Sequence, residues 1–146
     1  MKFKKRELSL NNLIGLTAPL DLEGDIFDQV IEISGVLKTE LMENGYYTNG
    51  PILFKYNPFD GEELSVYTTI GNTVNIIGEN KSEINFTPHF ELTTSYFYRH
   101  FDETEKVPYE EIKNNIEENE RTLKEIYHVV LDFYGEIVLD MYCEVE

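Results

Sequence analysis

Val129-Val130-Leu131-Asp132-Phe133-Tyr134-Gly135-Glu136-Ile137-Val138-Leu139-Asp140-Met141-Tyr142-Cys143-Glu144-Val145 reads as two strands folded back around a glycine. Val129, Leu131 and Phe133 alternate with other residues, and so do Ile137, Leu139, Met141, Cys143 and Val145. This is the period-two signature of a β-ribbon with one buried face. A three-residue turn at Tyr134-Gly135-Glu136 pairs Phe133 with Ile137 and gathers the apolar side chains on one side, whereas a two-residue turn mixes the faces. The pattern therefore predicts the longer turn. In that register Asp132 and Asp140 become diagonal neighbours on the other face, about 7 Å apart at the backbone. Tyr134 and Tyr142 flank them. Carboxylates beside aromatic rings can hold a cation by Coulomb and ring-quadrupole attraction; the plainer account is an exposed polar face on which tyrosines fill space.

Upstream of this ribbon, Pro108 marks a helix start, and Glu110 and Glu111 suit the positive end of a helix dipole. Tyr109, Ile112, Ile116 and Leu123 follow at helical spacing, after a Thr, Tyr and Phe-rich strand at residues 92–101. The first half of the chain has the same order. A strand at residues 11–20 precedes a helix from Asp25, where Ile26, Val30, Ile33, Leu37 and Leu41 recur every three or four residues and Phe27 and Ile31 widen the stripe. Asn44-Gly45 stops that helix. Residues 51–57 and 64–70 then form a hairpin around Pro58-Phe59-Asp60-Gly61-Glu62. Residues 71–91 read as a connector with one short strand at Val74 to Ile77. The expected fold is a single α+β domain over residues 1–146: duplicated βαββ halves, about 10–70 and 92–145, forming an antiparallel sheet with two long helices on one face.

A net charge of -16, from 28 acidic and 12 basic residues, excludes a phosphate-neutralising nucleic-acid surface and favours cations or basic protein surfaces. Four of the basic residues, Lys2, Lys4, Lys5 and Arg6, sit in the first six positions. No apolar run reaches the length of a membrane span or forms a signal peptide, so no membrane partner and a cytoplasmic location are expected. Cys143 is the only cysteine. It has no metal-ligand spacing around it and reads as a small buried apolar side chain, and His89, His100 and His128 form no ligand-like arrangement, so no cofactor or metal is expected.

The order of elements and several strings resemble the GyrI-like, or effector-binding, domain of bacterial multidrug-responsive regulators. The matching pieces are Leu13-Ile14-Gly15-Leu16, Asn44-Gly45, Gly50-Pro51-Ile52-Leu53-Phe54-Lys55-Tyr56 and Ser95-Tyr96-Phe97-Tyr98-Arg99-His100. In that family the strand after the second helix tends to read Pro-x-x-Glu-x-Tyr, and its acid contacts cationic, lipophilic ligands in an aromatic pocket. Here Val129 stands for the proline and Asp132 for the glutamate. The resemblance implies a ligand-binding module without catalytic residues, with Asp132 as counter-ion. Phe54, Tyr56, Tyr96, Tyr98, Tyr134, Asp140 and Tyr142 complete the expected site, with Phe54 and Tyr56 opposite Asp132 and Tyr134, and Lys55 turned toward the helices. Some GyrI-like proteins are described as hydrolases, but no nucleophile-elbow or Cys-His signature is present, so binding is expected rather than catalysis. The competing expectation is an acidic protein-interaction module, such as an immunity protein or adaptor, that neutralises a basic partner.

Overall fold

The computed structural model describes residues 1–71, 84–101 and 105–146. Its elements are β1 (Lys4–Pro19), α1 (Ile26–Glu43), β2 (Leu53–Lys55), β3 (Glu63–Thr69), β4 (Ile84–His100), α2 (Tyr109–Glu118), β5 (Leu123–Phe133) and β6 (Glu136–Val145). The βαββ order thus occurs twice. The extra strand expected at Val74 to Ile77 lies outside the described residues.

The first helix forms as its spacing predicts. Asp25 caps it by accepting the backbone N–H of Asp28, and Gly45, at a left-handed φ of 81°, follows its end. Val30, Leu37 and Leu41 are buried while Ile31 is exposed, so the apolar stripe is narrower than expected. The second helix is short. It buries Ile112 and Ile116 but ends at Glu118, and Glu120 takes a left-handed φ of 61°. Leu123, expected to prolong the helical stripe, is instead the first residue of β5.

The sheet corrects the expected fold class. It is a closed antiparallel barrel in the order β1-β3-β2-β5-β6-β4, with β4 returning to β1, in place of an α+β layer carrying two long helices. The two helices have 18 and 10 residues, and the molecule is mostly strand. Closure comes from the length of β1 and β4. They have 16 and 17 residues and pair from Lys4↔Phe97 to Leu16↔Ile84, so the free edges of the two halves satisfy each other. Residues 4–10 and 84–91 supply this join. They are charged or contain asparagine and Pro88, which hides their strand character when each is read alone.

Closure gives the strands two buried faces. Leu8, Leu13, Leu53, Phe97, Tyr127, Val129 and Tyr142 cluster on one face. On the other, Phe54, Val66, Ile126, Leu139, Met141 and Cys143 pack with Val30 of α1 and with Ile112 and Ile116 of α2. Eight strands give a barrel just wide enough for side chains, and a helix with its side chains is about 10 Å across, so the helices stand outside this six-stranded barrel and the first cluster fills it. Asn12 has a φ of 56° between Leu10 and Leu13. Around it the inward position passes from Leu8 to Leu13, which leaves Ile14 and Leu16 to pack against Leu37 and Leu41 of α1.

The closing ribbon has the shorter turn. Phe133 pairs with Glu136 and Asp132 with Ile137, while Tyr134 and Gly135, at φ 54° and 92°, occupy the two central positions of a tight hairpin. Asp132 accepts the Gly135 N–H at 2.8 Å and closes this turn. Because Asp132 follows Ile126, His128 and Val130 in alternation and Asp140 pairs with Val129, the two acids point to opposite faces instead of standing as diagonal neighbours.

Candidate functional site

The side chains expected to form one ligand site are divided between the faces of the sheet. Phe54 is fully buried beneath the helices, with its ring 6.1 Å from Phe27 and stacked on His128 at 4.2 Å. Tyr56, Tyr96 and Tyr98 are partly buried against the same outer cluster. Asp140 and Tyr142 lie on the inner face. Asp132 is exposed at the hairpin turn beside Tyr134, which is 105% exposed relative to its reference state. Lys55 also reverses its expected direction: its register partners are Ser65 and Tyr127, on the face away from the helices.

Under the helices, Phe54, Tyr56, Tyr109 and His128 form a polar-aromatic group. The Nδ1 of His128 lies 3.2 Å from the Phe54 carbonyl and its Nε2 lies 2.9 Å from the Tyr109 hydroxyl. A neutral ring satisfies both, donating from Nδ1 and accepting at Nε2. Complete burial pushes the imidazole pKa down to about 3, and burial also raises the Tyr109 hydroxyl far above its ordinary range. Both ring nitrogens of the fully buried His128 are engaged, so its chemistry is that of a satisfied core histidine. Tyr109→Phe removes the donor to a buried acceptor and is expected to lower stability by about 1–2 kcal/mol, read as a shift of the urea midpoint with unchanged slope.

On the inner face, Asp140 is 5% exposed and already paired. Arg99 donates to both of its oxygens, Nε to Oδ1 at 2.5 Å and Nη2 to Oδ2 at 2.8 Å, and Arg6 stands 3.7 Å from Oδ2. The hydrogen bond to Asp140 raises the Arg99 pKa still further, so this carboxylate has a permanent cation of its own.

An open cleft of about 620 Å³ lies where the β2–β3 connection meets the start of β5. Asp60, Glu62, Glu63 and Glu125 line it with Lys55, Asn57 and Ser65, and Leu22 and Phe59 supply apolar wall. Glu125 is the least solvated of these acids. Burial raises its carboxyl pKa, Lys55 opposes the shift, and Glu144 and Asp60 add to it. Asn57 holds the loop in shape, donating to the Lys124 carbonyl at 2.9 Å and accepting the Phe59 N–H at 2.9 Å. Sequence reasoning missed Glu125, Arg6 and Arg99 as site residues. The one visible signal was positional: charged residues inside strand-forming stretches, where a strand buried on both faces tolerates them only beside a partner or a cleft.

Among the described residues no group of His, Cys, Asp and Glu is placed to hold a metal ion, and no helix is long and apolar enough to cross a membrane. No protein-family model and no curated protein sequence matches this chain. Solved structures do resemble it. The crystal structure of the EcmrR C-terminal domain superposes with a TM-score of 0.61 at 11% identity, covering 100% of this chain and 99% of that one. The cryo-EM structure of an EcmrR-DNA complex gives 0.56 at 12% identity, over 99% of this chain and 57% of that one. The likeness is one of fold, and it is consistent with a GyrI-like fold.

Proposed function

We propose that this chain is a small-molecule-binding module that takes cationic, partly apolar ligands in the cleft around Glu125. The observation that carries the reading is a half-buried carboxylate facing an open cleft of about 620 Å³ whose other acids, Asp60, Glu62 and Glu63, are barely offset by Lys55. A lipophilic cation gains Coulomb attraction there and covers Phe59 and Leu22. The GyrI-like resemblance supports the class of function, and the fold shared with the EcmrR C-terminal domain is compatible with it. Compared with the expectation from sequence, the acid moves from Asp132, which closes a turn, to Glu125.

Tetraphenylphosphonium is a suitable probe, titrated calorimetrically into the full chain. Glu125→Gln is expected to weaken its binding about tenfold, a value discounted for partial exposure of the pair. Because the Glu125 pKa is raised, affinity falls as acidification neutralises that carboxylate, and the fall is smaller in Glu125→Gln, where only Asp60, Glu62 and Glu63 still lose charge. Equal affinity of the two proteins would remove the cleft from consideration.

A second reading, an acidic module for a basic protein, draws support from the filled barrel interior, where Leu8, Leu53, Phe97, Tyr127 and Tyr142 leave the inner face packed with side chains. It predicts salt-sensitive association with a basic protein and no response to tetraphenylphosphonium.

A further inference from the structure

The chain's charge of -16 is not evenly spread. Where the start of β1 meets the end of β4, Lys2, Lys4, Arg6 and Arg99 line a single cavity of about 230 Å³, with Phe97 and Phe101 as walls. Pairing of Lys4 with Phe97 across the two strands brings together cations that are more than ninety positions apart in the sequence. Asp140 lies against the two arginines and offsets one charge. No carboxylate among the described residues pairs with Lys2 or Lys4.

The arginines are held in place. Arg99 commits two of its five N–H groups to Asp140, and three remain. Arg6 lies with its guanidinium 4.5 Å from the centre of the Phe97 ring, and Phe97 is itself almost wholly buried. One buried acid thus orients two guanidinium groups without neutralising the pocket. Gathering like charges is unfavourable unless an anion completes the set, and planar guanidinium forks match carboxylate and phosphate oxygens. Phe101 is 66% exposed at the rim, so an organic body attached to the anion finds an aromatic surface there. Drug-sized sites run from about 300 to 1,000 Å³. The smaller cavity here suits one ring or a short acyl chain.

We propose that this pocket binds a small amphipathic anion, a monocarboxylate or phosphate monoester carrying a single aromatic ring or short acyl chain, independently of the Glu125 cleft. Benzoate and phenyl phosphate distinguish the two headgroups, and benzyl alcohol and inorganic phosphate each supply half of the chemistry. Titrations on the full chain, followed by calorimetry and by tyrosine and amide NMR shifts, are expected to show binding of at least one of the two aromatic anions. Both half-probes bind at least about tenfold more weakly. Lys2→Gln/Lys4→Gln, at exposed positions outside the ion pairs of the described residues, weakens the anion about tenfold and flattens its salt dependence while leaving the unfolding midpoint in place. Glu125→Gln leaves anion binding unchanged, which separates this site from the cation cleft. Failure of both aromatic anions to saturate by about 10 mM, equal binding of benzyl alcohol, or an unaltered affinity in the double variant would overturn the proposal.

Discussion

Acidification from pH 6.5 to pH 4 is expected to cost the fold about 3 kcal/mol through His128 alone. In the folded chain the ring is fully buried, its two nitrogens are engaged by Phe54 and Tyr109, and its pKa is pushed down to about 3 from an ordinary 6.5. The unfolded chain takes up a proton on this side chain below pH 6.5, whereas the folded one does not until about pH 3. Between those values the unfolded state binds more protons, so the contribution is complete above pH 6.5 and is lost progressively as pH falls. Glu125 acts in the opposite sense, since its raised pKa favours the folded state on acidification, and the wild-type slope is therefore a net effect. Urea denaturation at pH 7, 5.5 and 4 for the wild type and His128→Gln isolates the histidine. Glutamine offers one donor and one acceptor but does not titrate, so its profile is flatter by about 3 kcal/mol over the range. Parallel profiles for the two proteins would mean that His128 is solvated.

Phe54→Ala is expected to destabilise the protein by about 3–5 kcal/mol, the range for removing a fully buried aromatic ring. Phe54 has no exposed surface; its ring stacks on His128 with an interplanar angle of 8° and meets Phe27 of α1 edge-on at 81°. Truncation leaves a void between β2, β5 and both helices. For a domain of this length the loss corresponds to a melting point lower by about 10 °C or more. Phe54→Leu, which keeps much of the volume, is expected to recover more than half of it. The experiment also tests a difference between sequence and structure. A Phe54 lining an open ligand face, as the GyrI-like resemblance implied, would tolerate alanine at a cost below about 1 kcal/mol.

Much of the chain was legible before folding was considered. The 3.6-residue stripe of α1, its Asp25 cap and its Asn44-Gly45 end are local signals, and the structure uses each of them. The βαββ order, repeated, was visible as well. Local signals also overreached. Leu123 continues the α2 period by arithmetic, yet the helix ends five residues before it, because Asn119 and Glu120 turn the chain and Leu123 pairs with Val145 in the sheet. The candidate site was less legible. Asp132, Tyr134, Asp140 and Tyr142 were grouped on one face by a register that the tight turn at Tyr134-Gly135 shifts by one position.

The reason lies in the number of buried faces. Alternation fixes a strand's register only where one face is oily and the other wet. In β5, Val129 and Leu131 face the barrel interior while Ile126 and Val130 face the helices, so either register hides apolar side chains and the pattern loses its power to choose. Amino-acid order by itself determined α1 and the succession of elements, which depend on neighbours along the chain, and composition set the strong negative charge. Closure of β1 on β4, the neutralisation of Asp140 by Arg99, and the meeting of Lys2, Lys4 and Arg6 with Arg99 were decided by tertiary structure alone. Each depends on residues far apart in sequence, whose pairing is fixed by the free energy of burying two sheet edges and two faces at once.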